Sequence, residues 1–273
     1  MNNNFIRLTF SKTDEERTGL LVAMLNEIDY SGFEETDNGL VAFINEKIFD
    51  HQRLETVLNI LKINYEKSII KEENWNAKWE CAFEPIIVSH FVGIRASFHK
   101  PMTDLEHEII ITPKMSFGTG HHATTCLMIE QMSKLDFANK SVFDFGTGTG
   151  VLAILAEKMG AREIKAIDND EWSIENSIEN IKANNCSHIN ISRADSIEES
   201  MQYDIILANI NLNIILENIS AITSAAKKDG FILISGFLQE DEQRILSALR
   251  QSGLEYLSTA EKENWICICL KMN

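Results

Sequence analysis

Three glycines at alternate positions carry the chain's clearest chemical signal. Gly146, Gly148 and Gly150 lie in VFDFGTGTGVLAILAEKMGA, where an apolar strand pattern gives way to a helical one. Glycine permits positive φ in a tight turn and close approach of backbone to ligand, and the first turn of a helix presents unpaired N–H groups. The pattern therefore predicts a nucleotide-type site between a strand and a helix. A tight turn that binds nothing is the alternative.

The spacing of these glycines disfavours a pyrophosphate ligand. A dinucleotide fingerprint has the pattern G-x-G-x-x-G, but here the third glycine comes one residue early and Val151 takes its place. No Lys-Ser/Thr pair follows that could bind phosphates. Asp168 ends the next strand, where a carboxylate can accept hydrogen bonds from both hydroxyls of a ribose. An adenosine compound without phosphates fits both features, which predicts S-adenosylmethionine as the cofactor.

Two further polar residues follow strands of the same pattern. Asn209 ends the fourth strand and Asp195 comes after the third, and open α/β sheets bind ligands at these carboxyl ends. The carboxamide oxygen of Asn209 could orient an amine by accepting its hydrogen bond, or the residue could be the N-cap of the next helix. Asp195 could contact an adenine amino group or cap a helix. The sequence leaves both alternatives open.

The tetrapeptide FGTG occurs twice, at residues 117–120 and 145–148. Taken in order, SFGTGHHATT, VFDFGTGTGVLAILAEKMGA, AIDND and LANI resemble the PrmA family, the bacterial methyltransferases of large-ribosomal-subunit protein eleven. The glycine turn is shared by class I methyltransferases in general, whereas FGTGxHxTT is far more specific to this family. The resemblance covers about residues 72–270 closely, and the small N-terminal domain matches in size and layout only.

This resemblance implies an S-adenosylmethionine-dependent enzyme that methylates lysine side chains and the N-terminal amine of that basic ribosomal protein, with the N-terminal domain gripping the substrate. By resemblance, the first FGTG is a loop over the methionine end of the cofactor. The resemblance and the glycine turn together predict the cofactor-binding residues: Thr125, Gly146, Gly148, Asp168 and Asn209. Asn209 is also the predicted catalytic residue, which orients the amine without a nucleophile or a dedicated carboxylate base.

The chain departs from the family's pattern near the predicted site. Thr147 and Thr149 stand where the family often has Cys and Ser, and Asn211 stands where it often has Leu. These changes are compatible with cofactor binding and bear mainly on the substrate pocket. His121 and His122 could suggest a metal, but no further ligands follow at suitable spacing and the five cysteines form no CxxC pair. Loop packing or a capping hydrogen bond is the favoured role, and no metal is expected.

The elements that must position these residues form an α/β pattern. From Glu108 onward, apolar runs alternate with helical segments, as in a parallel sheet with crossover helices. The last two strand patterns face each other across a charged turn and predict an antiparallel pair. With the resemblance, this predicts a class I, Rossmann-like methyltransferase sheet with antiparallel C-terminal strands. The predicted strands are 142–145, 163–168, 204–209, 231–237, 254–259 and 265–271.

The N-terminal pattern differs from the rest of the chain. Its order, β-α-β-β-α-β, predicts a small α+β ferredoxin-like domain, with a hairpin turn at Asn38-Gly39 and Asp50 as the N-cap of the second helix. The predicted organisation is a substrate-recognition domain at residues 1–72, a linker region at 73–100 and the methyltransferase domain at 101–273. Trp75 and Trp79, one helical turn apart, predict a linker helix that docks on a neighbour.

The charge balance limits the partners. A formal net charge of −16, from 25 Lys and Arg against 41 Asp and Glu, repels polyphosphates and anionic lipids and favours encounter with basic partners. Acidity can also serve solubility alone. The N-terminal sequence lacks the order of a signal peptide, and no apolar run approaches the length of a membrane span. We therefore expect a cytoplasmic location, a basic protein substrate, and neither membrane association nor direct nucleic-acid binding.

Three other functions share the glycine turn. An RNA methyltransferase is disfavoured by the acidic charge and the lack of a basic and aromatic surface. A glutamine methyltransferase of release factors would have Asn-Pro-Pro-Tyr after the fourth strand, where this chain has Asn209-Ile210-Asn211-Leu212. A non-catalytic protein that binds the cofactor remains an alternative.

Overall fold

The computed structural model of the chain describes residues 4–11, 15–36, 39–70, 83–114, 116–197, 201–249 and 252–273. Contacts divide the chain into two units, Met1–Lys78 and Trp79–Asn273. Asn38, Trp75 and Trp79 lie outside the described residues, so the hairpin turn and the linker helix stay predictions. None of the helices in the described part of the chain has the length and apolarity that crossing a membrane requires.

The smaller unit has the predicted ferredoxin-like order of elements. Its sheet is antiparallel throughout, with the strand order β2-β3-β1-β4. Asp50 caps the second helix as predicted, because its Oδ1 accepts hydrogen bonds from the backbone N–H groups of Gln52 at 2.8 Å and Arg53 at 3.2 Å. The elements are β1 (Phe5–Ser11), α1 (Glu15–Asn26), β2 (Gly32–Thr36), β3 (Gly39–Asn45), α2 (His51–Leu61) and β4 (Tyr65–Ile70).

The core of the smaller unit follows from the strand and helix periods. Ile6, Leu8 and Phe10 alternate along β1 and are fully buried, since side chains two apart on a strand share a face. The buried face meets apolar side chains that recur at helical spacing on the two helices: Leu21, Leu25, Leu54 and Leu58. This unit therefore has an apolar core of its own.

The larger unit begins with a three-stranded sheet. Its strands are β5 (Ile86–Val88), β6 (Val92–Ala96) and β7 (His107–Ile111), with β5 antiparallel and β7 parallel to β6. The side chains of Ile94 and Ile109 are fully buried in the same apolar cluster as helical residues such as Leu127 and Ile154. The structure thus differs from the linker prediction for residues 73–100. The described part of that range, residues 83–100, packs into the larger unit because its apolar side chains complete that core.

The main sheet has seven strands in the order β10-β9-β8-β11-β12-β14-β13. The first five are parallel and β14 is antiparallel to both of its neighbours, as predicted. The predicted class I methyltransferase sheet is therefore confirmed. The strands are β8 (Ser141–Phe145), β9 (Glu163–Asp168), β10 (Ile189–Arg193), β11 (Tyr203–Asn209), β12 (Ala226–Leu238), β13 (Leu254–Lys262) and β14 (Trp265–Met272).

Helices cover both faces of this sheet through two separate apolar clusters. The helix after the glycine turn is buried along all of residues 151–156, which explains its apolar sequence on every face. The helices are α3 (Ala123–Met132), α4 (Val151–Lys158), α5 (Glu171–Ala183), α6 (Leu212–Ser224) and α7 (Glu242–Leu249). Burial on both sides leaves the carboxyl ends of the parallel strands as the place where a ligand can enter.

The amino ends of three neighbouring strands are joined by one carboxylate. Asp204 Oδ2 on β11 accepts hydrogen bonds from the Ser141 backbone N–H on β8 at 2.9 Å, from its hydroxyl at 2.7 Å, and from Lys227 Nζ on β12 at 2.9 Å. Burial opposes ionisation of Asp204, but the hydrogen bonds from Lys227 and Ser141 outweigh it and lower the pKa of Asp204 to about 2. This end of the sheet therefore contributes stability.

We expect Asp204→Asn to lower the free energy of unfolding by about 1 to 2 kcal/mol at neutral pH, the value of hydrogen bonds to a partly exposed charge. Because the pKa is lowered in the folded state, this contribution is complete above the ordinary value of 3.8 and is lost as the pH falls toward about 2. Urea unfolding at pH 7, 4 and 3 measures it. Asp229→Asn is the control, since Asp229 pairs with Lys271 at an exposed site. A deficit in Asp204→Asn that is equal at pH 7 and pH 3 would contradict this assignment.

Candidate functional site

A cavity of about 410 Å³ lies at the carboxyl ends of the parallel strands. Four of the five predicted cofactor-binding residues line it: Gly146, Gly148, Asp168 and Asn209. The fifth, Thr125, is fully buried behind the wall and its hydroxyl receives a hydrogen bond from Asn209 Nδ2 at 3.4 Å. The structure therefore brings together all five residues, although they come from four different elements.

The glycine turn has the backbone conformation that its sequence predicts. Gly146, Gly148 and Gly150 have φ values of 74°, 55° and 80°, the left-handed region that residues with a Cβ disfavour. Space is equally limiting at Gly148, where a Cβ would lie 2.4 Å from the carbonyl oxygen of Phe117. The turn is tied to its neighbour strand because the N–H groups of Gly146 and Thr147 both donate to the Ile167 carbonyl at 2.9 Å.

The first copy of FGTG is hydrogen-bonded to Thr149, the residue that follows the second copy. The carbonyl oxygen of Phe117, in the first copy, accepts a hydrogen bond from the Thr149 N–H at 3.0 Å, and that of Gly118 accepts one from the Thr149 hydroxyl at 2.7 Å. A serine at position 149, common in the family, would offer the same hydroxyl. The first copy is thus fixed against the glycine turn and forms one side of the cavity.

Thr147, the other departure from the family's pattern in this turn, has a structural partner. Its hydroxyl donates to Asp144 Oδ2 at 2.6 Å. Asp144 is almost wholly buried on β8, and this burial raises the pKa of its carboxyl to about 7. The threonine therefore supplies a hydrogen bond to a buried acid beneath the turn, and it is not among the residues that line the cavity.

Asp168 is held in place by the backbone. Its Oδ2 accepts a hydrogen bond from the Gly148 N–H at 2.9 Å, and its Oδ1 accepts one from the Asp170 N–H at 3.0 Å. A carboxylate oxygen can accept more than one hydrogen bond, so both oxygens keep the capacity to bind ligand hydroxyls. The side chain is at once an anchor of the glycine turn and a fixed acceptor on the cavity wall.

Asn209 is a buried amide with one unused acceptor. It is 7% exposed, and its Oδ1 has no hydrogen-bond partner. The alternative that it caps the next helix is wrong: Asn211 is the N-cap of α6, with its Oδ1 accepting from the Ile214 N–H at 3.2 Å. An unpaired buried acceptor costs about 1 to 3 kcal/mol, which a ligand with a donor group would recover. Asn209 therefore indicates where an N–H or O–H of a ligand binds.

Helix α5 supplies supporting residues that the sequence analysis missed. Ser177 Oγ donates to the Gly148 carbonyl, and Asn180 Nδ2 donates to the Thr149 carbonyl at 2.8 Å. Asn180 Oδ1 also accepts from the Thr112 N–H at 2.7 Å, next to β7. The available signal was a stripe of small polar residues at helical spacing on a buried face: Ser173, Asn176, Ser177 and Asn180.

His122 has the capping role that was favoured over metal binding. It is the N-cap of α3, where its Nδ1 accepts from the Thr124 N–H at 3.3 Å. Its ring lies against Phe117, with centroids 5.2 Å apart, and edge-on to Trp265 at 4.6 Å. We refer to Phe117, His122 and Trp265, which all line the cavity, as the aromatic wall. Among the described residues, no group of three or more His, Cys, Asp or Glu side chains comes together as metal ligands would.

The cavity fits a positively charged adenosyl compound better than a phosphate ester. Its described lining contains the carboxylates of Asp168 and Asp195 but neither lysine nor arginine. Asp195 lies in a bend after β10, and no helix begins in the described residues that directly follow it, so the helix-cap alternative gains no support. Phosphate sites in proteins are lined by cations and helix N-termini. The acidic lining, the glycine turn and the orphan acceptor of Asn209 match a sulfonium compound with a ribose and an amine.

Comparison with known proteins identifies the family. A sequence model described as ribosomal protein L11 methyltransferase (PrmA) matches residues 12–273. The chain belongs to this family. The resemblance stated from the motifs is thus confirmed, and the match includes most of the smaller unit, which the motifs related to the family only by size and layout. Membership also confirms the predicted enzyme class, an S-adenosylmethionine-dependent methyltransferase.

Relatives of the family are similar along their full length. The chain is 34% identical to the ribosomal protein L11 methyltransferase of Phocaeicola vulgatus, covering 97% of this chain and 98% of that one. It is 36% identical to that of Porphyromonas gingivalis, covering 94% and 91%. A crystal structure of ribosomal protein L11 methylase from Lactobacillus delbrueckii subsp. bulgaricus superposes with a TM-score of 0.65 at 26% identity, covering 70% of this chain and 100% of that one.

Proposed function

We propose that this protein transfers methyl groups from S-adenosylmethionine to lysine side chains and to the N-terminal amine of ribosomal protein L11. The observation that carries the proposal is the buried, unpaired Oδ1 of Asn209 on the wall of the cavity, because it is a neutral acceptor for an amine. The names of the relatives supply the substrate, and the net charge of −16 favours encounter with a basic protein. The smaller unit is assigned to substrate recognition.

The residues on the cavity wall have separate roles in this proposal. Gly146 and Gly148 allow the backbone to approach the cofactor, and Asp168 accepts hydrogen bonds from its ribose hydroxyls. Thr125 positions Asn209 through their mutual hydrogen bond. When bound, S-adenosylmethionine supplies an activated methyl group. The protein's own contribution is alignment of donor and acceptor, which is worth about 7 to 11 kcal/mol when the reactive geometry is held.

The amine must react in its neutral form. A lysine with a pKa of about 10.4 costs roughly 4 kcal/mol to deprotonate near pH 7.4. Burial beside a positive charge lowers the pKa of an amine. Asn209 Oδ1 can accept an N–H of the neutral amine, and the lone pair of the amine nitrogen then points away from Asn209. In this proposal Asp168 binds the ribose hydroxyls, and Asp144 is not among the residues that line the cavity. The proton of the amine leaves to water, and no carboxylate serves as a dedicated base.

A labelling experiment tests the proposal against its alternatives. The protein is incubated with methyl-labelled cofactor, ribosomal proteins, total RNA and release factors, and the products are separated. Label in ribosomal protein L11 supports the proposal. Label in RNA or at a release-factor glutamine would show that the substrate is RNA or the release factor instead. Measurable cofactor binding without label in any fraction would indicate a non-catalytic protein.

We expect Asn209→Ala to lower the turnover number about tenfold, the value of one neutral hydrogen bond, and to affect the affinity for the cofactor less. Steady-state kinetics with ribosomal protein L11 and calorimetry with S-adenosylhomocysteine separate the two effects. Asn211→Ala is the matched control, since Asn211 lines the same cavity but caps α6. That variant should lose about 1 kcal/mol of stability and keep its turnover. Equal losses of turnover in both variants would contradict the role proposed for Asn209.

A further inference from the structure

The aromatic wall has no role in the function proposed so far. Phe117 is a large apolar side chain that is 52% exposed, which places it at the solvent side of the cavity. Trp265 begins β14 and is partly buried, with His122 between the two rings. The first FGTG loop, a helix N-terminus and the last strand thus converge on one face of the cavity. Three rings at such a place need an explanation other than core packing.

His122 is held between the other two rings of the aromatic wall by the start of α3. Its Nδ1 accepts from the Thr124 N–H at 3.3 Å and lies 2.8 Å from Thr124 Oγ1. These contacts fix the orientation of the ring against Phe117 and Trp265.

The charges in the cavity that the aromatic wall lines favour a cation. The described lining of the cavity contains two carboxylates, Asp168 and Asp195, and no lysine or arginine. Faces of tryptophan and phenylalanine attract cations through the ring quadrupole, and aromatic cages are a recurring way to bind methylated ammonium groups. A methylated ammonium has fewer N–H donors than the unmethylated ammonium, so it gains relatively more from ring faces than from water.

We propose that the aromatic wall binds the target amine in its charged forms, the ammonium that arrives and the methylated ammonium that leaves. This inference rests on the proposed function. Asn209 accepts from the neutral amine at the bottom of the cavity, and the aromatic wall holds the cation at its entrance. A mono- or dimethylated ammonium retained there can lose a proton to water and return to Asn209 as a neutral amine, once S-adenosylhomocysteine has been exchanged for S-adenosylmethionine. Successive methylations of one side chain then need no release of the protein substrate.

A binding experiment tests this without catalysis. The full chain, saturated with S-adenosylhomocysteine, is titrated with Nα-acetyl-Nε-trimethyllysine amide and with its neutral isostere, in which carbon replaces the ammonium nitrogen. The cation should bind about 3- to 30-fold more tightly than the isostere. Trp265→Leu should abolish this preference. Phe98→Leu is the matched control, because Phe98 is a 57% exposed aromatic residue outside the cavity lining, and it should keep the preference.

Each outcome bears on the inference. Equal binding of cation and isostere, loss of the preference in Phe98→Leu, or no binding of either compound overturns it. A second measurement covers the case in which Trp265→Leu is unstable: Phe117→Leu, at an exposed ring, should raise the fraction of monomethylated product in reactions with excess substrate. Failure of the proposed function looks different, since wild-type protein would then label no amine while the preference for the cation could persist.

Discussion

Replacing Gly148 with alanine should abolish measurable cofactor binding, a loss of more than about 100-fold in affinity. A Cβ at this position would lie 2.4 Å from the carbonyl oxygen of Phe117, and the backbone there has φ of 55°. The carbonyl cannot move freely because it accepts the Thr149 N–H and so joins the first FGTG loop to the glycine turn. Overpacking and a left-handed alanine together cost about 2 to 5 kcal/mol. Because both loops line the cavity, the distortion falls on the cofactor site.

Gly253→Ala is the control that isolates the steric part of this effect. Gly253 has φ of 76°, yet a Cβ there would meet nothing within 4 Å. It should lose only about 1 to 2 kcal/mol of stability, the cost of the left-handed conformation, and bind the cofactor like wild type. Calorimetry with S-adenosylhomocysteine and thermal unfolding give both quantities. If Gly148→Ala binds within about fivefold of wild type, the contact between the two loops does not shape the site.

Residue periods and spacing were sufficient to predict the main elements. The alternation of Ile6, Leu8 and Phe10 predicted a half-buried strand. The apolar segment after three glycines predicted the central crossover helix. These signals are local, since each depends on which face of one element is buried. The same locality explains why the described strands β5 and β6 were assigned to a linker. Their place in the larger unit depends on pairing with β7 and on a shared core, which no single element encodes.

At the candidate site, too, local signals could be recognised in the sequence and contacts between distant residues could not. The glycine turn could be found from the sequence because a single strand-turn-helix pattern contains it. Asp168 could be found because it stands at the end of the next strand. Asn209 and Asn211 are two residues apart and both suit an N-cap, so only the backbone shows that Asn211 has that role. The contact of His122 with Trp265 joins residues far apart in the chain. The roles of Thr125, Gly146, Gly148, Asp168 and Asn209 toward the cofactor remain predictions.

The second large effect should appear at Asp168. We expect Asp168→Ala to weaken binding of S-adenosylmethionine by about 1.5 to 3 kcal/mol, the loss of hydrogen bonds to a charged acceptor, which is about 10- to 150-fold in the dissociation constant. The variant also removes the anchors of the Gly148 and Asp170 N–H groups, so a change in the turn itself must be distinguished from loss of ligand contacts. Asp195→Ala removes a carboxylate from the same cavity and controls for its overall charge.

A double-mutant cycle on the ligand makes the distinction. Calorimetry is carried out with S-adenosylhomocysteine and its 2′-deoxy analogue on wild type, Asp168→Asn and Asp195→Ala. The amide of Asp168→Asn keeps one oxygen to accept a backbone N–H but loses the charge. If Asp168 binds the ribose, the penalty for the missing hydroxyl should be present in wild type and in Asp195→Ala, and should largely vanish in Asp168→Asn, since residues in contact give non-additive changes. Two results would show that Asp168 does not bind the ribose: an equal loss of affinity for the 2′-deoxy analogue in Asp168→Asn and in wild type, or unchanged cofactor affinity in Asp168→Ala. Either result would also remove the reason to prefer an adenosyl ligand over other cations.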